Sequence, residues 1–525
     1  MNHIAAVIPV IASLLFFSCG HRGEKGTVPE ETDSLTVSEK PLERFPDTVY
    51  ASVNQIKWDV TVLDTTVDGR LQYLTDPYDL VDGTYTFRGN QRREMPVSGK
   101  VSGTPSEIIK VWEFMTDCDL TETSMGTWGG GSGWTGQPVY VHWSDSLMDR
   151  FRASSPGLTD DFSEKEIIVG SLSRHVYFID YETGKASRTS INSGNTIKGS
   201  VTLDPEYANV YVGHGIPITE PFGTVTIDLF QHKVTHAFGR DSKPWRSWQA
   251  YDACAIVAGG FLFRTGENGG VYKFARSQGS LSVVSRLRFR EARRGDAAGI
   301  ESSMAVCRNY GYFGDNRGNI LCINLDTMNP VWYYDNHDDT DGSIVIEEKE
   351  GVPYVYTCSE MEKQGENGKA YFVKLNGLTG EKVWETTFPC KIGHIAGKHF
   401  DGGMYATPLL GHGDCEDLIF THICDNIPAF HGFTVALRKD TGEPVWTHDL
   451  IRYAWSSPAA FYNEEGKLFL FAGDCYGNVY LLDGRTGERL FTTKIGDNFE
   501  SSPVVMDDCV VMGSRGMFIY KMKVQ

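Results

Sequence analysis

IIKVWEFM, Ile108 to Met115, stands ahead of every repeat in this 525-residue chain, yet it reads as the last strand of one. NPVWYYD (Asn329 to Asp335), EKVWETT (Glu381 to Thr387) and EPVWTHD (Glu443 to Asp449) carry the same Val-Trp step, each closing a copy of one phrase. The phrase opens on small residues, runs through two apolar strands to a Gly-Asn or Gly-Gly turn, continues as VYxxD, turns at Thr-Gly and ends on the Trp strand. In its fullest copy, Ser456 to Ile495, alternating apolar positions suit half-buried strands, and the GN and RTG steps supply residues that tolerate positive φ. Each copy is a four-stranded meander. The last one, SSPVVMDDCVVMGSRGMFIYKMKVQ, holds three strands only, and an unpaired edge there would invite aggregation. IIKVWEFM supplies the missing fourth strand. The two ends of the repeat region therefore meet, and the architecture is a ring rather than an open solenoid, which would cap its ends with polar repeats.

The copies align at Pro138, Val201, Ala255, Met304, Ile344, Pro408, Pro458 and Pro503. Eight copies of this length predict an all-β fold, an eight-bladed β-propeller of four-stranded antiparallel blades over residues 108–525, closed by the N-terminal strand. Aromatics at 12% and 56 glycines agree with an all-β chain. A net charge of −19 repels phosphate backbones, so no nucleic acid is expected as a partner.

MNHIAAVIPVIASLLFFSC has a short polar start, an apolar run from Ile4 to Phe17, and Ser18 before Cys19. It resembles a bacterial lipoprotein signal, which implies a leader over 1–18, acylation of Cys19 and a durable N-terminal lipid anchor on the membrane. Residues 19–50 are polar and lack an apolar period, and read as a flexible tether; 51–107 read as an extension packing on or near the propeller. Gly20 and the absence of an acidic cluster directly after Cys19 favour the periplasmic face of the outer membrane, with the cell surface as the alternative.

GNVYLLDGRTGERLF, AYFVKLNGLTGEKVW, FTVALRKDTGEPVW and NILCINLDTMNPVW resemble the tryptophan-docking repeat of pyrroloquinoline-quinone (PQQ)-type β-propellers, and TFRGNQRR (Thr86 to Arg93) resembles a segment often found just ahead of them. The resemblance covers about residues 85 to 525. It implies that Trp112, Trp332, Trp384 and Trp446, with Phe491 as a smaller substitute, wedge between neighbouring blades. Blades two and three depart from the pattern, lacking the Trp. The family includes quinone-dependent dehydrogenases, an eight-bladed barrel-assembly accessory lipoprotein of the outer membrane, and binding or scaffold proteins. The dehydrogenases commonly carry adjacent cysteines beside the cofactor. This chain has no Cys-Cys pair and no CxxCH, so the resemblance points to the scaffold side.

No catalytic or metal-binding motif outweighs a structural reading. GGGSGWTG places Gly131, Gly133 and Gly136 as GxGxxG, but before a strand rather than opening a helix, so it reads as a loop carrying Trp128 and Trp134. His412, Cys415, His422 and Cys424 have zinc-ligand chemistry, yet strand cysteines recur at Cys307, Cys322, Cys358 and Cys475, and buried cysteine is the simpler account. Asp335, Asp338, Asp339 and Asp341 offer oxygen ligands suited to calcium, without the EF-hand spacing, and read as a solvated loop.

Geometry gives the functional lead. Three positions before each anchor stand Thr135, Lys198, Asp252, Glu301, Asp341, Tyr405, Trp455 and Glu500, a predicted ring at one mouth of the axial channel. Loops leading there add Trp128, Trp134, Trp245, Arg246, Trp248, Arg293, Arg294, His399 and Asp401. Aromatic and charged groups together make a binding face suited to a cation, an amine or a sugar. The expectation is a non-enzymatic, lipid-anchored scaffold or ligand-binding module that meets envelope proteins or glycans through this face, with no cofactor. The alternatives are a PQQ-dependent dehydrogenase, with calcium and with Asp252, Glu301 or Glu500 as ligand or base, and a carbohydrate-binding protein.

Overall fold

One residue past each aligned anchor a short strand begins: Val139–His142, Thr202–Leu203, Ile256–Ala258, Ala305–Cys307, Val345–Lys349, Leu409–Leu410, Ala459–Tyr462 and Val504–Met506. In the computed structural model, which describes residues 43–133, 136–292, 297–395 and 398–525, each is the first strand of its own four-stranded antiparallel meander, and two-residue strands add at the inner edge of the first (Gly83–Thr84, antiparallel) and the seventh (Gly99–Lys100, parallel). Eight such sheets form a β-propeller, numbered here blade 1 to blade 8 in that order. Blade 8 is completed by Ile108–Met115, which pairs antiparallel with Phe518–Val524 from Met115 opposite Phe518 to Ile108 opposite Val524. The ring is fastened by the strand IIKVWEFM, as its Val-Trp step predicts.

The Val-Trp strands owe their repetition to the blade junctions. Trp112 Nε1 donates to Tyr181 O in blade 1 (3.0 Å), Trp332 to Gly377 O in blade 5 (2.8 Å), Trp384 to Lys439 O in blade 6 (3.0 Å) and Trp446 to Gly484 O in blade 7 (3.1 Å). Each indole covers the Thr-Gly turn of the blade it docks on. A Cβ on Gly184, Gly380, Gly442 or Gly487 would stand 2.6–2.7 Å from the ring, and these glycines have φ between +72° and +75°. The repeat's Trp and its TG are thus two halves of one contact made between neighbouring copies. Phe491 holds the same position in blade 7, half-buried against the core.

Blades 1, 2 and 3 place Arg188, His236 and Ser285 at that position, each opposite the residue just before the strand irregularity that follows the Trp partner elsewhere. They are held by other means. Arg188 is fully buried, with its Nε 3.0 Å from Glu166 Oε1 and its guanidinium 4.3 Å from the Phe151 ring of the helix Asp145–Ser154. Blade 3 receives a fifth, outer strand, Ile56–Val62, running from Ile56 opposite Glu291 to Val62 opposite Ser285.

The small residues that open each repeat also have a shared task. Gln137 N donates to Ser200 Oγ, Cys254 N to Ser303 Oγ, Ser303 N to Ser343 Oγ, Ser343 N to Thr407 Oγ1, Thr407 N to Ser457 Oγ and Ser457 N to Ser502 Oγ, at 2.7–3.1 Å. A hydroxyl at this position satisfies a backbone donor of the preceding blade, which otherwise would be buried unpaired near the axis.

The extension ahead of the ring does more than lie on its side. Residues 85–93 run across the inner strands: Leu203 N donates to Tyr85 O, Val306 N to Gln91 O and Ile346 N to Arg92 O. Arg88, fully buried, donates to Pro458 O (2.8 Å) and Pro408 O (3.1 Å), while Arg93, also fully buried, donates to Met304 O (3.0 Å), Phe87 O (2.8 Å) and Cys254 O (3.3 Å). The FRGNQRR segment is a plug tied to blades 3 to 7. The tether expectation extends too far at its C-terminal end: Asn309 brackets the Phe45 backbone at 2.7 and 3.1 Å, Tyr50 N donates to Val331 O, and Phe45 is buried, because an apolar ring here has blade 4 to pack on. Cys19 and the leader lie outside the described residues. Among the described residues no helix is long and apolar enough to cross a membrane, and all ten cysteines are unpaired thiols.

Candidate functional site

From Lys198 onward, the residue three before each anchor lies where the chain enters a blade ahead of its first strand, on the side of the axis. Asp252, Glu301, Asp341, Tyr405 and Trp455 line one cavity on it, whose floor includes Phe87 of the plug. The enclosed space is about 20 Å³, room for one water molecule, an ion or the head of a side chain. Lys198 reaches in from the side, its Nζ 2.7 Å from Asp252 Oδ2 and 5.3 Å from the Trp128 ring centroid. Glu500 accepts from Asn498 Nδ2 (2.7 Å) and from Arg515 Nη1 (3.2 Å). Trp134, Thr135, Arg293 and Arg294 lie outside the described residues.

The loop residues divide. Arg246 comes into the site, with Nη1 3.3 Å from Glu267 Oε2. Trp245 does not: its ring packs under the guanidinium groups of Arg288 and Arg290, at 4.5 and 4.9 Å, on the outer part of blade 3. Trp248 is half-buried and His399 is exposed on the small hairpin Gly393–Ile395 with Lys398–Phe400. Asp401 follows that hairpin, and burial together with Glu362 holds its carboxyl above the ordinary range. Beside it the Phe400 ring stacks on Phe430 (4.7 Å) and Tyr453 (5.4 Å), and Tyr453 continues to Trp455 (5.5 Å) and Trp455 to Tyr405 (4.7 Å), so an aromatic row leads from the hairpin to the axis.

Two acids at the site were missed in the sequence: Glu267 and Glu360 stand two residues past the end of the second strands Phe261–Thr265 and Val352–Cys358, where the turn to the third strand comes up beside the mouth. Asp338 and Asp339, read as part of a solvated loop, are instead buried, because that loop packs against the segment carrying Glu360. The offset from the second strand in TGENGG and CSEMEK is the signal that could have found the two glutamates. They complete two triads, Asp252 with Glu267 and Glu301, and Asp339 with Asp341 and Glu360, in each of which one ligand-type oxygen per residue lies within 4.8 Å of the others. Asp338 of the acidic loop instead accepts from the backbone N–H groups of Glu362 and Lys363, clamping the segment that carries Glu360. Among the described residues, His412, Cys415, His422 and Cys424 form no such group; His422 Nδ1 bonds the Thr434 hydroxyl at 2.9 Å inside blade 6.

Burial raises the pKa of all three acids in the second triad, and neighbouring carboxylates add to it: Asp341 and Asp339 act on Glu360, Glu301 and Asp339 on Asp341, and Glu301 on Asp339, which Lys363 partly relieves at 3.2 Å. Glu267 is likewise pushed up by burial and by Glu301 and Asp252. Burial works against the Lys198 ammonium, but Asp252, Glu267 and Glu301 outweigh it and keep it protonated. The arrangement favours a bound cation over three simultaneously ionised acids.

Residues 431–522 match the family model described as outer membrane protein assembly factor BamB. No curated protein matches the sequence. Among solved structures, the quinohemoprotein alcohol dehydrogenase from Comamonas testosteroni is 12% identical with a TM-score of 0.58, covering 84% of this chain and 80% of that one. A europium-containing methanol dehydrogenase is 11% identical with a TM-score of 0.58, covering 84% of this chain and 98% of that one. BamB from Moraxella catarrhalis is 14% identical with a TM-score of 0.48, covering 79% of this chain and all of that one. The molecule is a β-propeller built of PQQ-like repeats. The likeness to the dehydrogenases is one of fold.

Proposed function

We propose that this PQQ-like propeller is a non-enzymatic envelope scaffold, anchored by lipid at Cys19 to the periplasmic face of the outer membrane, that docks a protein partner through its axial mouth. The observation that carries the reading is the plug. With residues 85–93 bonded across the inner strands, the axis is a blind pocket with acidic walls and an aromatic approach, a recess fit to receive one projecting group. The match of residues 431–522 to a barrel-assembly factor model supports protein partners in envelope assembly over a small substrate. A glycan partner would use the aromatic row instead of the acids.

Crosslinking in whole envelopes followed by mass spectrometry tests this, comparing wild type with Trp455→Ala plus Tyr453→Ala. Loss of one envelope protein from the crosslinked set in the variant is expected; an unchanged set sinks docking at this mouth. Cys19→Ser should move the protein from the membrane pellet to the soluble periplasmic fraction.

A further inference from the structure

The two acidic triads differ in one respect: the first already holds its cations. Lys198 supplies an ammonium to Asp252 beneath the Trp128 ring, and Arg246 reaches Glu267. Among the described residues the second has Lys363 alone, which bonds Asp339 and also Glu362. Glu360, 4% exposed, keeps its Oε1 buried with no hydrogen-bond partner among the described residues, and so does Asp339 Oδ1. These acids are built in, not carried on loose loops. Glu360–Met361 is bridged to Gly402–Gly403, Glu360 N donates to Asp339 O at 2.7 Å, and Asp338 clamps the next two amides. Asp341 lines the cavity together with Tyr405 and Trp455, whose rings form one wall.

We propose that Asp339, Asp341 and Glu360 bind a primary ammonium group, as Asp252 already binds that of Lys198. The proposal rests on the docking reading above and names the group that docks. An ammonium carries three donors, and one oxygen from each of these carboxylates lies within 4.8 Å of the other two, close enough for all three to accept from one such group. Of the three acids Asp341 reaches the axial cavity, whose free space of about 20 Å³ suits a compact head. Aromatic walls favour an organic cation, whereas calcium asks for six to eight oxygens. The ammonium is that of a partner's lysine or of a free amine.

Calorimetry on the whole chain separates the cases, using butylamine, Nα-acetyl-lysine methylamide, the same amide acetylated at Nε, and calcium chloride, all at one ionic strength. Binding of butylamine or the lysine amide, with at least tenfold loss on Nε-acetylation and at least tenfold weakening in Glu360→Gln and in Asp341→Asn, supports the proposal. The surface variant Glu381→Gln should bind as wild type does. A lysine amide more than tenfold tighter than butylamine points to a protein source, and equal affinities point to a free amine. No heat with either ammonium probe, or calcium binding in their place, overturns the proposal. Should crosslinks still vanish in Trp455→Ala plus Tyr453→Ala while neither amine binds, docking stands and the ammonium assignment alone fails.

Discussion

Glu166 and Arg188 are both fully buried, and Arg188 stands where blade 4 has Trp332. Trp143 Nε1 (2.9 Å) and Ser187 Oγ (2.5 Å) also donate to Glu166, so the carboxylate is fully served only while the arginine stays. Arg188→Met should cost about 3–5 kcal/mol in urea unfolding, as expected for an uncompensated buried charge, and Glu166→Gln combined with it should recover part of the loss. Buried histidines set the acid limit. Burial, with Arg88, lowers the His422 pKa to about 3, and burial, with Arg264, lowers that of His214 to about 4, against 6.5 when exposed. The unfolded chain therefore binds more protons below about pH 6.5, and stability falls as pH drops through that window. His422→Asn should flatten the fall in Tm between pH 6 and 4. Glu360 has the opposite sign: its pKa is raised, so its contribution to stability is lost as pH rises above the ordinary carboxylate range. Glu360→Gln should raise Tm at pH 8 relative to wild type, with the gain vanishing toward pH 4.

At the scale of the element, the unit of cohesion is the Trp of one blade on the Thr-Gly turn of the next. Gly442 has φ +74° and its missing Cβ would meet the Trp384 ring at 2.6 Å, whereas Gly351 has φ +79° and open space around it. Gly351→Ala should cost about 1–2 kcal/mol, the left-handed backbone penalty alone. Gly442→Ala adds displacement of an indole and should cost about 2–5 kcal/mol in the same denaturation experiment. Equal costs would show that the docking contact contributes nothing. The dipeptide TG is legible in the sequence as a turn. That its glycine is also a seat for tryptophan becomes visible only when consecutive copies are set side by side, because the contact joins residues some sixty positions apart, as Trp384 and Gly442 are.

For the whole molecule, closure couples residue 108 to residue 524 and the plug couples the blades to one another. Those amides of Ile109 to Phe114 that bond the Phe518–Val524 strand, and their partners across the seam, should exchange with deuterium at one common, slow rate, since both lose protection only when the ring opens. Fast exchange in Ile109 to Phe114 alone would mean a loosely added strand. Arg88→Met orphans the carbonyls of Pro408 and Pro458 and should lower stability by about 2–4 kcal/mol without splitting the unfolding transition. A ring tied at its seam and across its axis has no blade that can leave first.

The sequence by itself determined the strands, the number of repeats, their junctional tryptophans and the seam, because period-two patterning, turn glycines and the spacing of copies are local properties that survive in one dimension. The same register named Asp252, Glu301, Asp341, Tyr405 and Trp455, which share the axial cavity. Tertiary structure alone decided that TFRGNQRR enters the axis, that Arg188 with Glu166 and the strand Ile56–Val62 support the blades lacking tryptophan, that Glu267 and Glu360 turn toward the mouth acids, and that the loop carrying Asp339 is buried. Each of those depends on which distant segments share a space, and neither burial nor charge repulsion exists for a side chain until its neighbours from other blades arrive.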